Sequence, residues 1–174
     1  RRGNYRSTSS PTVEATDLGS VQCRFESCEV YQKGKWGIVQ HEPIIYYWSS
    51  STGGTRSVAG RLNTPTAHID QYAEERPYIL MVPSYGSPRT GGYIPKQVQH
   101  FLDRRGDNLV GVIGTGNMNF QEDYCKAAHL ISGRYNVPVL WRIDLRGDDR
   151  DIQAIDLGVK QHWHTLAKVV ECST

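Results

Sequence analysis

The segment from Val110 to Cys125 constrains the fold more than any other part of the chain. It begins with the apolar run Val110 to Ile113, continues through the glycine- and asparagine-rich stretch Gly114 to Asn119, and ends in residues typical of a helix start. A buried strand that runs into such a loop and then into a helix is the junction at which open α/β sheets bind ligands. The segment therefore predicts an α/β fold with a binding site at the carboxyl edge of its sheet.

Two similar junctions lie upstream of this segment. The apolar run Ile44 to Trp48 leads into residues rich in serine, threonine and glycine that end at Thr55, and the run Tyr78 to Val82 leads into a long loop. Neither run alternates regularly between apolar and polar residues, which is typical of strands covered on both faces. Because the carboxyl ends of parallel strands meet at one edge of a sheet, we expect the three loops to form one site.

Predicted strands and helices alternate along the rest of the chain, which implies right-handed crossovers and a parallel sheet. The last predicted helix carries an apolar stripe at helical spacing, formed by Ile152, Ile155, Val159, Trp163 and Leu166. We predict strands at 44–48, 67–69, 78–82, 109–113 and 137–143, and helices at 55–62, 95–104, 122–135 and 149–169.

Composition divides the chain into three parts. Residues 1–20 are rich in serine, threonine, glycine and arginine and poor in large apolar side chains, which predicts a flexible tail. Aromatic and β-branched residues alternate with polar ones in the stretch 21–43, which indicates an N-terminal extension with a β-hairpin or an added edge strand. Residues 44–174 are enough for one α/β domain with a sizeable core.

Charge and cysteine content argue against several classes of function. The formal net charge is +2 at pH 7, so we expect no nucleic-acid-binding surface. The four cysteines form no CxxC pair, the six histidines lack metal-ligand spacing, and no signal peptide or membrane-spanning apolar run is present. We therefore expect a cytoplasmic protein that contacts no membrane and holds no metal of its own.

The first loop offers hydroxyl groups and bare backbone amides where a helix begins. Such groups bind phosphate, because they donate hydrogen bonds near the positive end of the helix dipole. No lysine follows Gly54, which argues against a P-loop for nucleoside triphosphates and favours a monophosphate. A serine- and glycine-rich turn that caps the helix explains the loop about equally well. The residues concerned are Ser49, Ser50, Thr52, Gly54 and Thr55.

The second and third loops offer groups suited to a flat heteroaromatic ring. Tyr85 and Tyr93 could flank such a ring, although two surface tyrosines in a loop are the simpler interpretation. Gly114, Gly116 and Asn117 allow tight turns that present backbone amides to the edge of a ring. The two loops by themselves do not decide between these uses.

The end of the third loop carries helix signals rather than catalytic ones. Asn119 to Glu122 matches a helix N-cap with its acidic third residue, and Cys125 is more often a small buried residue of such a helix than a nucleophile. No Ser-His-Asp set and no paired carboxylates stand out in a loop. Any reaction is therefore expected to belong to a bound cofactor.

Four motifs taken together resemble the NrdI family. They are Tyr47-Trp48-Ser49-Ser50, Val82-Pro83-Ser84-Tyr85-Gly86, Ile94-Pro95-Lys96-Gln97-Val98, and the stretch from Gly116 to Cys125. The resemblance covers about 44–163 and is most specific in the last motif. It implies a flavodoxin-like three-layer sandwich with a five-stranded parallel sheet in the order 2-1-3-4-5 and helices on both faces.

The resemblance also implies a function. Members of this family bind FMN, whose reduced form reacts with dioxygen to supply superoxide to the di-manganese small subunit of a class Ib ribonucleotide reductase. Such a protein is an accessory redox protein that receives electrons from a flavodoxin-reducing reductase or a similar donor. By position, Ser49, Ser50, Thr52, Gly54 and Thr55 would hold the phosphate, Ser84, Tyr85 and Gly86 would border the isoalloxazine ring, and Gly114, Thr115, Gly116, Asn117, Asn119 and Phe120 would frame its other edge.

The sequence departs from the family pattern at two places. Ser87 and Pro88 interrupt the family's glycine run, and Gly53 with Gly54 replaces the usual Glu-Asn pair. Two other functions stay open. An electron-carrying flavodoxin is usually strongly acidic, and the nearly balanced charge argues against it. A binding module that kept the fold without a cofactor is the other, because fold does not determine function.

Overall fold

The computed structural model describes residues 41–85 and 93–171. The predicted tail, most of the predicted N-terminal extension, and Gly86, Ser87 and Pro88 lie outside the described residues. All elements below belong to one compact unit of the chain.

The core of the fold is a parallel sheet of five strands. These are β1 (Ile45–Tyr47), β2 (Thr66–His68), β3 (Tyr78–Pro83), β4 (Leu109–Gly116) and β5 (Val139–Asp144). Their order is β2-β1-β3-β4-β5 and every neighbouring pair is parallel, which confirms the predicted topology. The central position of β3 explains its unbroken apolar sequence, because all its residues except Pro83 are buried.

The parts of the chain that the structure describes contain four α-helices: α1 (Gly54–Ala59), α2 (Lys96–Arg105), α3 (Lys126–Tyr135) and α4 (Asp149–Glu171). The first three each connect one strand to the next along the chain, and α4 follows β5. On one face of the sheet, Leu80 of β3 packs in a cluster with Val98 of α2 and Ile131 of α3. Successive side chains of a strand point to opposite faces, so Ile79 and Met81 are buried on the other face, which α1 and α4 cover. The predicted apolar stripe of α4 is buried throughout. No helix in 41–85 or 93–171 is long and apolar enough to cross a membrane.

The largest error in the predicted elements lies after β4. The sequence predicts a helix from Glu122, but Met118–Asp123 forms a 3₁₀ helix that is broken by a kink at Gln121, and α3 begins only at Lys126. Gln121 and Cys125 both have positive φ angles, of 45° and 53°, and such residues interrupt a right-handed helix.

The predicted N-cap at the same place is also wrong. Asn117, rather than Asn119, uses its side-chain oxygen as a cap, because it accepts a hydrogen bond from Asn119 N at 2.9 Å. Strand β4 continues to Gly116 instead of ending at Ile113, and β5 begins at Val139, two residues later than expected.

Candidate functional site

The loops that follow β1, β3 and β4 lie together at the carboxyl edge of the sheet, as the sequence predicts for parallel strands. Two contacts join them. Thr55 Oγ1 lies 2.9 Å from Thr115 Oγ1, which links the start of α1 to the end of β4. Ser84 N donates to Thr115 O at 3.0 Å, which links the loop after β3 to the same strand. The structure therefore brings the three predicted loops into one site.

The first loop is a tight turn with its hydroxyl groups near the surface. Ser50 Oγ and Thr52 Oγ1 are 2.8 Å apart, and Gly53 N donates to Ser50 O at 3.0 Å. Gly53 has φ of 72°, a conformation that favours glycine. Ser49 Oγ accepts a hydrogen bond from Arg56 N at 3.3 Å, so part of the loop does serve the start of α1.

The chemistry of the first loop is that of hydrogen-bond donors. The chain has no Asp or Glu between Pro43 and Ile69, whereas it places Arg56 at the start of α1. Among the described residues, the backbone amides of Ser50, Ser51 and Thr52 have no hydrogen-bond acceptor. This loop is suited to an anion and unsuited to a metal cation.

Thr55 and Thr115 occupy a different layer of the site. Both are buried, and their hydroxyl groups hydrogen-bond to each other beneath the loops. The structure thus gives them a bracing role between β4 and α1. Direct contact of Thr55 with a phosphate stays a prediction.

The second loop places an aromatic side chain at the surface of the edge. The rings of Tyr85 and Trp48 meet edge to face, with centroids 6.1 Å apart and an interplanar angle of 70°. Ser84 lies deeper, because its hydroxyl accepts a hydrogen bond from Ala127 N at 3.1 Å. Tyr85 and Ser84 therefore differ in role: the tyrosine faces outward and the serine fastens the loop to α3.

In the third loop the glycines serve close packing. A Cβ at Gly114 would lie 2.8 Å from Cys125 Cβ, and one at Gly116 would lie 3.0 Å from Cys125 N. These glycines let α3 start directly against β4, a use that the sequence interpretation did not include. Asn119 and Phe120 follow at the exposed surface of the loop.

Cys125 is fully buried at this junction, as expected of a small buried residue. It lies immediately before α3, rather than within it as predicted. Burial raises the pKa of its thiol to about 11, so the thiol is protonated at neutral pH. A protonated, buried thiol is a poor nucleophile.

Comparisons with known proteins agree with this geometry. The family model described as NrdI flavodoxin-like matches residues 45–156. A protein named NrdI from Enterobacter sp. (strain 638) is 39% identical over 127 residues, covering 69% of this chain and 93% of that protein. The chain belongs to the NrdI family.

Two further matches agree with this assignment. Protein NrdI of Paracoccus denitrificans (strain Pd 1222) is 40% identical over 139 residues, covering 75% of this chain and 96% of that protein. A solved structure of a short-chain flavodoxin associated with a bacterial microcompartment matches with a TM-score of 0.51 at 16% identity, covering 72% of this chain and 97% of the other. At that identity it shows the flavodoxin-like fold alone.

A fourth loop, which the NrdI resemblance did not include, joins the site after β5. Leu145 N donates to Gly116 O at 2.6 Å, and Asp144 Oδ1 accepts from Met118 N at 2.8 Å, so this loop is tied to the third one. Leu145 has φ of 53°, which is rare for a bulky residue. The sequence does contain a signal for this loop, because the carboxyl end of the fifth predicted parallel strand must lie at the same edge of the sheet.

Four exposed apolar side chains surround the edge, and we call them the apolar rim. Single exposed apolar residues are common, whereas a contiguous patch of them is typical of a binding surface. Within 41–85 and 93–168, where side-chain exposure is described, only two other large apolar side chains, Leu130 and Leu157, are comparably exposed. The rim consists of Tyr85, Met118, Phe120 and Leu145, which are 56%, 62%, 66% and 58% exposed.

Proposed function

We propose that this protein binds FMN at the carboxyl edge of its sheet and, with the flavin reduced, supplies superoxide to the di-manganese small subunit of a class Ib ribonucleotide reductase. The observation that carries the proposal is the convergence, in a member of the NrdI family, of a donor-rich loop, an aromatic pair and the apolar rim at one sheet edge. The proposal places the protein in the cytoplasm with its partner.

The first loop fits the phosphate of FMN. A phosphate monoester is an anion with several acceptor oxygens, so it requires hydrogen-bond donors and no nearby carboxylate. Ser49, Ser50 and Thr52 provide hydroxyl groups, and the amides of 50–52 have no acceptor among the described residues. A Cβ on Gly54 would come no closer than 3.8 Å to Leu145 O, so the turn leaves space beside it.

The second, third and fourth loops fit an isoalloxazine ring. The rings of Trp48 and Tyr85 pack edge to face on one side of the sheet edge. Phe120 and Leu145 expose apolar surface on the loops after β4 and β5. A flat, largely apolar ring bound between these groups would remove part of this surface from water, which contributes about 25 cal/mol for each Å² buried.

The reaction belongs to the cofactor, and the protein directs it. When bound and reduced, FMN supplies one electron to each dioxygen molecule that becomes superoxide. The described residues include no group of three or more His, Cys, Asp or Glu side chains placed to hold a metal ion. In our proposal the manganese ions belong to the partner, and this chain binds and orients the flavin and delivers the oxidant.

The apolar rim supports a partner that docks over the ring site. Its four side chains lie on the loops after β3, β4 and β5, around the place proposed for the ring. A small subunit that covers the rim would bury these side chains and shield the oxidant's path from solvent. An electron donor of the flavodoxin-reductase type would use the same open edge before the small subunit binds.

Radical formation tests the proposed function. The FMN-loaded protein is reduced with dithionite in the absence of oxygen and freed of excess dithionite. It is then mixed with a manganese-loaded class Ib small subunit and aerobic buffer. We expect the tyrosyl radical, measured by electron paramagnetic resonance, to form in higher yield than with free reduced FMN at the same concentration. An equal yield would favour an ordinary electron carrier, and a purified protein that binds no FMN would favour a module without cofactor.

A further inference from the structure

We infer that Tyr93 and Asp123 form a positioning pair that holds Tyr85 at the ring site, an inference that rests on the proposed function. The hydroxyl group of Tyr93 donates a hydrogen bond to Asp123 Oδ1 at 2.7 Å. Tyr93 lies just before α2, whereas Asp123 ends the 3₁₀ helix that follows β4. The bond therefore joins the second loop to the third across the edge of the sheet.

The backbone carries this connection from Tyr93 to Tyr85. Tyr85 N donates to Tyr93 O at 3.0 Å, so any displacement of Tyr93 acts directly on the main chain of Tyr85. The ring of Tyr85 in turn contacts the ring of Trp48. A continuous series of contacts thus runs from Asp123 through Tyr93 and Tyr85 to Trp48, and it crosses the loops that follow β4, β3 and β1.

The environment of the pair favours an ordered hydrogen bond. Tyr93 is partly buried and packs against the hydrophobic core, and Asp123 is half-buried. Hydrogen bonds to a carboxylate are stronger than those between neutral groups. A tyrosine hydroxyl group is protonated at neutral pH and can donate, and the hydrogen bond to Asp123 raises the pKa of Tyr93 further above its ordinary value.

Other contacts hold the bases of the same loops, which separates the role of the pair from general folding. Ser84 bonds to Thr115 O and to Ala127 N next to the strand ends. Loss of the Tyr93 hydroxyl would leave these inner contacts in place. We therefore expect the pair to set the position of Tyr85 rather than the stability of the domain.

A set of four variants tests the inference: Tyr93→Phe, Asp123→Ala, both together, and Asp123→Asn, which keeps an acceptor oxygen. Tyr135→Phe is the matched control, because Tyr135 packs against Gly106 near the start of β4, at the far end of the sheet. FMN affinity is measured by flavin fluorescence titration, and both midpoint potentials by spectroelectrochemistry. Thermal unfolding of each apoprotein checks the fold.

We expect Tyr93→Phe and Asp123→Ala each to weaken FMN binding by about three- to tenfold, because Tyr85 is then no longer held in place beforehand and must be ordered when FMN binds. Both potentials should shift, the double variant should bind FMN no more weakly than either single variant, and Asp123→Asn should recover most of the affinity. Tyr135→Phe should match wild type.

Different results contradict the positioning role and the proposed function. If wild type binds FMN and Tyr93→Phe has wild-type affinity and potentials, the positioning role is wrong while the proposed function stands. The same holds if the losses of FMN affinity in Tyr93→Phe and Asp123→Ala simply add in the double variant. If wild type binds no FMN at all, the proposed function itself is wrong, and the inference fails with it.

Discussion

Thr55 and Thr115 are 60 positions apart in the sequence, and their hydroxyl oxygens lie 2.9 Å apart at a buried position where each residue is 3% exposed. This hydrogen bond connects α1 to β4 directly beneath the first and third loops. The candidate site is therefore supported from below by two polar groups that satisfy each other.

Replacing one partner of this pair is expected to destabilise the domain. Thr55→Val keeps the shape of the side chain but leaves the Thr115 hydroxyl buried without its partner, which costs about 1–3 kcal/mol. Replacing both threonines with valine should recover much of the loss, because no polar group is then left unsatisfied. Urea unfolding of the two single variants and the double variant measures the free energy of unfolding. If the stability losses of the single variants add in the double variant, the paired role is wrong.

Gly54→Glu is expected to weaken FMN binding at least tenfold. The nearest atom to a Cβ at this position is Leu145 O at 3.8 Å, so the substitution introduces a charge beside the proposed phosphate without a clash. Gly54→Gln is the control of nearly equal size. Flavin fluorescence titration compares the two variants, and equal affinity of Gly54→Glu and wild type would show that the phosphate does not bind this loop.

Two glycine-to-alanine substitutions should have opposite effects on stability. Gly114→Ala brings a Cβ to 2.8 Å from Cys125 Cβ and 2.9 Å from Ala128 Cβ, and such overpacking costs about 1–3 kcal/mol. Gly133→Ala lies on α3 with nothing within 4 Å, so it should stabilise the domain by about 0.5–1 kcal/mol. The free energies of unfolding of the two variants test this prediction. A Gly114→Ala variant as stable as wild type would contradict the close packing at this position.

Asp156 is expected to make stability depend on acid pH. Its carboxylate accepts hydrogen bonds from the backbone amides and side chains of Asn63 and Thr64, at distances from 2.7 to 3.0 Å. Burial by itself would raise the pKa of Asp156, but these hydrogen bonds outweigh it and lower the pKa below its ordinary value. The contacts fasten α4 to the segment between α1 and β2.

Because the folded-state pKa lies below the unfolded one, the stabilisation is complete above the unfolded value of about 3.9 and is lost as the pH falls through the folded value. Asp156→Ala should therefore lose about 1–3 kcal/mol at pH 7, and the gap to wild type should narrow below about pH 4. Urea unfolding from pH 3 to 7 measures the gap, with the exposed Glu74→Ala as control. A gap that does not change with pH would exclude this role.

Much of the fold could be predicted because its signals are local. The apolar run of β3 and the helical stripe of α4 identify their elements without reference to the rest of the chain, since burial on two faces and burial of one stripe leave different patterns. The strand order came from the family resemblance, and the structure confirms it.

The start of α3 could not be predicted in the same way. Local preferences favour a helix from Glu122, but Gln121 and Cys125 take positive φ angles. At this junction Gly114 and Gly116 allow Cys125 and Ala128 to approach β4 closely. This close packing is a tertiary contact, so a prediction that uses only neighbouring residues does not detect it. The fourth loop was missed for a similar reason, because the bond from Leu145 N to Gly116 O joins the ends of β4 and β5, which are neighbours in the sheet but far apart in the sequence.

The sequence by itself determined most of the strands and helices, apart from the start of α3, and which loops carry hydroxyl, aromatic and glycine residues, because these properties depend on residue type and local spacing. Only the tertiary structure decided which of those groups lie near the surface of the site and which are buried beneath it. Ser50 and Thr52 stay near the surface, whereas Thr55 and Thr115 are buried against each other. Which side chains are buried depends on residues that are far apart in the sequence, because side chains become buried only when the sheet and its helices pack together.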